Sequence, residues 1–355
     1  MISRYSRRVT GEAGIQQPPK SQTQNATLFL APTLELVQLR ALSILRFGGI
    51  FMRVGHSIFA ALVATCVGLT ATDARANPQC VQPNALGVSR TVVIDTTGGP
   101  GFGLSQYAMH DFLAMQEVVL TFDDGPWPTN TRAVLDALAK HCTKATFFPI
   151  GKHALWHPSI LKEVAAAGHT VGSHTWSHAI LGKVKSDKAI EEIEKGFSAI
   201  KIALGAAPAP FFRFPALNDP QDARAYLATR NIAIMSHDLD SFDFKMRKPE
   251  DVIKSVLSKL EKKGKGIILL HDFQQATAKA ALDMLTALQA KGYKVVHMRA
   301  KAPIATLAQF DEAAKAEVKG GEVGQGRPTS MVVQTVDETP AAKPALVPVT
   351  GPQKK

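Results

Sequence analysis

From residue 117 onward, short apolar runs recur along the chain: Glu117–Phe122, Ala145–Ile150, His169–Gly172, Pro210–Arg213, Ile232–Ser236, Gly266–Leu270 and Tyr293–His297. They are rich in Val, Ile, Phe and Leu and mostly lack strict alternation, the pattern of strands buried on both faces. Between them apolar residues return at helical spacing. Thr129–His141 sets Val134, Leu135 and Leu138 on one face, and Pro158–Ala167 opens with an early-helix proline and stops before Gly168. Ser186–Leu204 carries the stripe Ile190, Ile193, Phe197, Ile200 and Leu204. Asp219–Arg230, Pro249–Lys263 and Ala276–Lys291 follow, the last two ending near Gly264 and Gly292. Strand–helix alternation repeated this often predicts an α/β fold, a parallel sheet with helices outside. About seven strands fit a (β/α) barrel or a doubly wound sheet. Past Lys301 the periodicity fades: Phe310–Lys319 reads as one more helix, and 320–355, rich in Gly, Pro, Thr and Lys, as a disordered tail.

The first 76 residues have a different character. From Met52, a basic start at Arg53 leads into an apolar stretch, Ile58–Leu69, and then Ala74-Arg75-Ala76. That is the three-part pattern of a signal peptide cut after Ala76. The apolar stretch is shorter than the roughly 20 residues a membrane-spanning helix needs, so no stable membrane span is expected. On this reading 52–76 is a signal peptide, 1–51 an over-extended N-terminus, 77–116 a lead, 117–300 the main domain, and 301–355 a helix and tail. The rival for 1–51 is a genuine extension with a helix in Thr33–Phe51. The expected location is secreted or periplasmic. There Cys80 and Cys142 would sit in an oxidising compartment, which favours one disulfide over two buried thiols.

Composition narrows the function classes. Hydrophobic residues make up 45% of the 355, which is globular, and three cysteines are too few for a disulfide scaffold. The net charge of +11 could mark a nucleic-acid binder, but residues 1–76 carry 8 basic and 3 acidic side chains, leaving only +6 for the rest. No dense Lys/Arg run is present, so a mildly basic, solvated surface is the better reading and no nucleic-acid partner is expected.

The chemistry lies where the apolar runs end. Run 117–122 leads into Asp123-Asp124-Gly125-Pro126, run 169–172 into His174-Thr175-Trp176-Ser177-His178, and run 210–213 into Arg213-Phe214-Pro215. Run 232–236 leads into Asp238-Leu239-Asp240-Ser241-Phe242-Asp243, and run 266–270 into His271-Asp272. Each motif alone has a bland explanation: a turn, two packed histidines, a structural ion pair, a solvated acidic loop. Parallel α/β folds, however, converge their binding and catalytic groups at the C-terminal ends of strands. Two histidines and a carboxylate form a three-ligand site with open positions, as a catalytic zinc requires. A second carboxylate can act as base, an arginine can hold it ionised, and a distal histidine can act as acid.

The ordered set Thr121-Phe122-Asp123-Asp124-Gly125-Pro126, His174-Thr175-x-x-His178, Arg213-Phe214-Pro215, Asp238-x-Asp240-x-x-Asp243-Phe244 and Leu269-Leu270-His271 resembles the polysaccharide deacetylase family. This is the NodB-homology group, or carbohydrate esterase family 4. The resemblance implies a distorted (β/α) barrel and divalent-metal-dependent removal of acetyl groups from sugar polymers, with Zn2+ the expected ion and an acetylated polysaccharide the partner. It implies Asp123 as base, Asp124, His174 and His178 as metal ligands, Arg213 as the orienter of the base, His271 as general acid and Asp243 as its tuning carboxylate. Leu269 would line the acetyl-methyl pocket and the Ala216 N–H would face the oxyanion. Trp127 and Trp176 could stack on sugar rings or pack in the core. Phe244 stands where the family often has tryptophan, and Ala216 where it has an aromatic or glycine. The expected reaction is N-deacetylation of an N-acetylglucosamine-containing polymer of the peptidoglycan or chitin type. The rivals are an amidohydrolase on a small or lipid-linked amide, and a non-catalytic glycan-binding protein.

Overall fold

The computed structural model describes residues 84–319; the proposed leader, Cys80 and the tail lie outside the described residues. In chain order the elements are β1 (Arg90–Ile94), β2 (Gly101–Phe102), β3 (Glu117–Asp123), α1 (Asn130–Lys140), β4 (Thr146–Phe148), α2 (Gly151–Trp156), α3 (Pro158–Ala166), β5 (Thr170–Val171) and α4 (Ser186–Leu204). They continue with β6 (Phe211–Phe212), α5 (Gln221–Thr229), β7 (Ala233–Met235), β8 (Leu239–Asp240), α6 (Pro249–Lys263), β9 (Gly266–His271), α7 (Gln275–Ala290), β10 (Lys294–Ala300) and α8 (Ala308–Lys319).

The central strand is β3. One edge takes β9 along Val118–Asp123, and the other is shared by β10 at Glu117–Val118 and β4 at Thr121–Asp123. Outward from there, β4 pairs with β5 and β9 with β8, while β2, β7 and β6 form a second sheet. A bridge between Ser173 and Phe212 joins the end of β5 to β6. All these pairings are parallel. The circuit therefore runs β8-β9-β3-β4-β5-β6-β7, a barrel with no ladder between β7 and β8 among the described residues. Buried Asp238 spans that gap: its N–H donates to the Ile267 carbonyl (2.9 Å), and its carboxylate accepts from the Leu104 (2.5 Å) and Ile267 (2.6 Å) N–H groups. The acidic-loop reading of Asp238 gives way to a buried structural role. The distorted (β/α) barrel is the expected architecture.

Side-chain parity along β3 sets the site. Val118, Leu120 and Phe122 join Val134 and Leu138 of α1 and Leu285 of α7 in the outer layer. Val119 packs inside with Phe148, Phe211, Met235 and Ile267. Thr121 and Asp123 follow Val119 by steps of two, so they face the interior. On β9, Ile268 and Leu270 point outward and Ile267 inward, which puts Leu269 and His271 on the inner face. A one-residue slip would drive Asp123 into the helix layer and expose Phe122 to the polar site. Each such burial is worth about 1.5–3 kcal/mol, so the register is firmly held.

The strands and helices read from the sequence are present, with shifts of a few residues at their ends. Short elements are added: β1, β2, β8 and α2. The segment read as a lead contributes β1 to β10 and β2 to β7. Asp243 follows β8, a strand of its own, instead of the run 232–236. At the other end, α8 docks on α4 through Lys195–Glu317 (2.5 Å) and Lys201–Asp311 (2.8 Å), with Ala314 fully buried.

Candidate active site

Arg213 follows β6 and is completely buried. Its Nη1 donates to Asp123 Oδ1 (2.7 Å) and Thr121 Oγ1 (2.8 Å), its Nε to the Met235 carbonyl (2.9 Å), and its Nη2 to the Ser236 carbonyl (2.9 Å). The guanidinium lies over the Phe148 ring at 4.4 Å. A buried charge needs such a complete set of partners. The result is a carboxylate with one oxygen clamped, its other oxygen, Oδ2, lying 3.9 Å from His174 Nε2.

Beside it, Asp124 Oδ1 lies 3.5 Å from His174 Nε2 and 3.4 Å from His178 Nε2. The ligand atoms of this trio all lie within 4.8 Å of one another. Asp124 Oδ1 is buried without a hydrogen-bond partner, which leaves its lone pairs directed into the space the imidazoles share. His174 donates from Nδ1 to the Arg213 carbonyl (2.7 Å), so Nε2 keeps its lone pair. Burial pushes the His174 pKa down to about 4, keeping the ring neutral, the form a ligand requires. The donor set fits a divalent ion of the zinc type.

Across the β3–β9 ladder, Asp123 and His271 are directly registered partners. Asp243 accepts from His271 Nδ1 (2.7 Å), the His271 N–H (2.8 Å) and Thr277 Oγ1 (2.5 Å). Burial works against charge on His271, but the Asp243 carboxylate outweighs it and raises the imidazole to about 10. Nε2, the ring nitrogen opposite the bond to Asp243, therefore carries a proton.

The structure brings most of the other expected residues near this centre. Leu269 is buried on β9 opposite Thr121, and half-buried Phe244 meets the His271 ring edge-on at 5.6 Å. Trp127 is half-buried, edge-on to His153 and His157. Ala216 is exposed just past Pro215 with φ 51°, a left-handed conformation that aims the backbone away from a helical path. Trp176 is a correction. It is 7% exposed within the core, with Lys195 over its ring at 4.4 Å, so it presents no face to a sugar.

Several supporting roles, some of them played by residues of the quoted motifs, were not read from the sequence. His153 on α2, fully buried, donates from Nδ1 to the Asp124 carbonyl (2.6 Å). Asp272 accepts from the Gly125 N–H (3.2 Å) and Thr131 Oγ1 (2.5 Å), fixing the turn after Asp124. The loop between His174 and His178 is held from both sides. Thr175 and His178 have φ of 67° and 62°, conformations rare for side-chain-bearing residues. Glu192 of α4 accepts from Ser177 N (2.8 Å) and Ser177 Oγ (2.9 Å), and the first N–H groups of α2 reach the Thr175 and Trp176 carbonyls. Glu192 falls between Ala189 and Gly196 on the apolar stripe of α4, the one sequence signal of an inward role.

Two predictions follow from this support. Glu192→Ala is expected to weaken zinc binding by about 10–100-fold, measured by competition with a chromophoric chelator. Gly196→Ala would set a Cβ 2.7 Å from the Thr175 carbonyl carbon, a backbone atom. It should lower stability by about 1–3 kcal/mol in chemical denaturation, with weaker zinc binding.

A distorted barrel with an Asp–His–His donor set beside an arginine-clamped carboxylate defines a class of α/β-barrel proteins, and comparison with known proteins agrees. The polysaccharide deacetylase family profile matches residues 113–234. The chitooligosaccharide deacetylase of Bradyrhizobium sp. is 30% identical over 199 residues, 52% of this chain and 90% of that protein. The peptidoglycan-N-acetylglucosamine deacetylase PgdA of Listeria monocytogenes is 33% identical over 183 residues, 51% of this chain and 38% of that protein. The Bdellovibrio bacteriovorus peptidoglycan deacetylase Bd3279 superposes with a TM-score of 0.55 at 35% identity, covering 60% of this chain and 59% of that one. The chain belongs to the polysaccharide deacetylase family. It spans well under half the length of the Listeria relative.

Proposed function

We propose that this protein is a metal-dependent hydrolase that removes N-acetyl groups from an N-acetylglucosamine-containing polysaccharide of the peptidoglycan or chitin type, releasing acetate. One observation carries the reading. Asp123, clamped at one oxygen by Arg213, and His271, carried by Asp243, are registered partners on adjacent strands, beside the Asp124–His174–His178 trio. A base and an acid next to a Lewis-acid position form the apparatus of amide hydrolysis. The relatives named for peptidoglycan and chitooligosaccharide deacetylation support the polymer class.

Zinc held by Asp124, His174 and His178 would polarise the acetyl carbonyl and lower the pKa of the attacking water. The free oxygen of Asp123 takes the water proton as the new C–O bond forms. Arg213 holds that carboxylate in place through its bond to Oδ1. The Ala216 N–H would serve as the donor to the developing oxyanion, a contribution of about 2.7–4 kcal/mol where such a donor is well aimed. His271 gives its Nε2 proton to the sugar nitrogen as the C–N bond breaks, leaving acetate and a free amine. Leu269 and Phe244 wall the acetyl pocket, and Trp127 offers a ring at its rim. The protein acts outside the cytoplasm, exported by the 52–76 signal and braced by a Cys80–Cys142 disulfide.

The test is acetate release by the zinc-loaded protein on chitin oligomers, peptidoglycan and acetylated xylan. Release from an N-acetylglucosamine polymer, lost on chelation and restored by zinc, is the expected result. Release from xylan alone would replace the amide with an ester substrate. No release from a folded, zinc-loaded protein would shift the reading to a small-amide hydrolase or a glycan-binding protein.

A further inference from the structure

At the opposite end of β5 from His174 lies a cavity of about 1260 Å³, lined by residues of β1, β10, α3 and the loops before β4, β5 and β6. Among the described residues its charged lining is of one sign: Arg90, Lys144, Lys162, Arg299 and Lys301, with no carboxylate. Two of these cations are committed, Arg90 to Glu117 (2.6 Å) and Lys301 to Asp95 (2.9 Å). Lys144, Lys162 and Arg299 have no carboxylate partner among the described residues; Lys144 instead donates to the Ala167 carbonyl (2.5 Å). Three cations without a carboxylate partner among the described residues, Lys144, Lys162 and Arg299, converge from the loop before β4, α3 and β10 on one concavity and form an oxyanion-binding arrangement.

We propose that this cavity binds a segment of an anionic polymer carrying repeated phosphate or carboxylate groups, at a site separate from the deacetylase centre. The volume exceeds the usual range of small-ligand pockets, about 300–1,000 Å³, and accommodates more than one anionic unit. Two histidines complete the lining, His169 and His297. His169 accepts at Nδ1 from the Ala145 N–H (3.2 Å), which leaves Nε2–H as its donor. His297 donates from Nε2 to Thr170 Oγ1 (3.0 Å), because that hydroxyl gives its own proton to the Met298 carbonyl (2.6 Å). Burial, with Lys144 beside both rings and Arg299 beside His297, pushes them down to about 3 and about 4, so both are neutral at neutral pH.

The experiment is calorimetric titration of the full zinc-loaded chain with poly(glycerol phosphate) and, separately, with oligogalacturonate, at low and moderate salt. Binding to at least one polymer is expected, weaker at moderate than at low salt. Binding to only one names phosphate or carboxylate as the group recognised. The double variant Lys162→Gln/Arg299→Gln, changed only at exposed side chains outside the catalytic centre, should bind about tenfold more weakly or worse. Its acetate release from a short chitin oligomer should match the wild type. No binding to either polymer, or equal affinity in the double variant, would overturn the proposal.

Discussion

Asp123→Asn is expected to lower acetate release by about 10²–10⁴-fold, the usual contribution of a positioned general base. Zinc affinity should stay close to that of the wild type, because the amide replaces a group beside the Asp124–His174–His178 trio and not within it. The amide oxygen can still accept from Arg213, so the side chain keeps its place while losing its basicity. Arg213→Met makes the complementary point. It would strand the Asp123 charge in a fully buried position and remove the bonds to Thr121, Met235 and Ser236. Breaking a buried pair from one side costs about 3–5 kcal/mol, so this variant should show a clear loss in denaturation midpoint as well as turnover. An Asp123→Asn protein that binds zinc and still turns over at the wild-type rate would remove Asp123 from the role of base.

His271→Ala should lose turnover on a similar scale, about 10²–10⁴-fold, by leaving the departing amine without a proton donor. Its partner Asp243 can be tested by pH. In the metal-free protein the His271 imidazole is raised from its ordinary value near 6.5 to about 10. The folded state therefore binds more protons than the unfolded state between those values. The stabilisation is complete below about 6.5 and is lost as pH climbs towards about 10. Thermal melts of the chelated wild type should fall across that window, and Asp243→Asn, which removes the counter-charge, should flatten the slope. A wild-type curve already flat there would mean that the pair is not ionic.

The helices and most strands were legible because their signal is local. The Ile190–Leu204 stripe and the apolar runs 117–122 and 266–270 state their burial within a few residues. The short elements were not. Leu239–Asp240 and Gly101–Phe102 are two residues each, and the six residues Gly151–Trp156 are too few to show a helical period. Trp176 was ambiguous because its neighbours His174 and His178 face the site while its own ring turns to the core. Nothing in the spacing of Glu192 and Ser177, or of Lys162 and Arg299, announces that they share a loop clamp or a cavity wall.

What the sequence determined by itself was the chemical inventory: the ordered motifs, the residue types of the Asp–His–His trio and of the residues proposed as base and acid, and a parallel α/β framework to carry them. Those are properties of local pattern. The tertiary structure alone decided that Asp123 and His271 stand opposite each other on neighbouring strands, and that Arg213 reaches across the barrel to Asp123. It also decided that Asp238 spans a break in the barrel wall, and that cations from distant segments converge at the opposite end. Each of these depends on strand register and barrel closure. Register is set by the summed burial of side chains far apart in the chain, and no local window contains that sum.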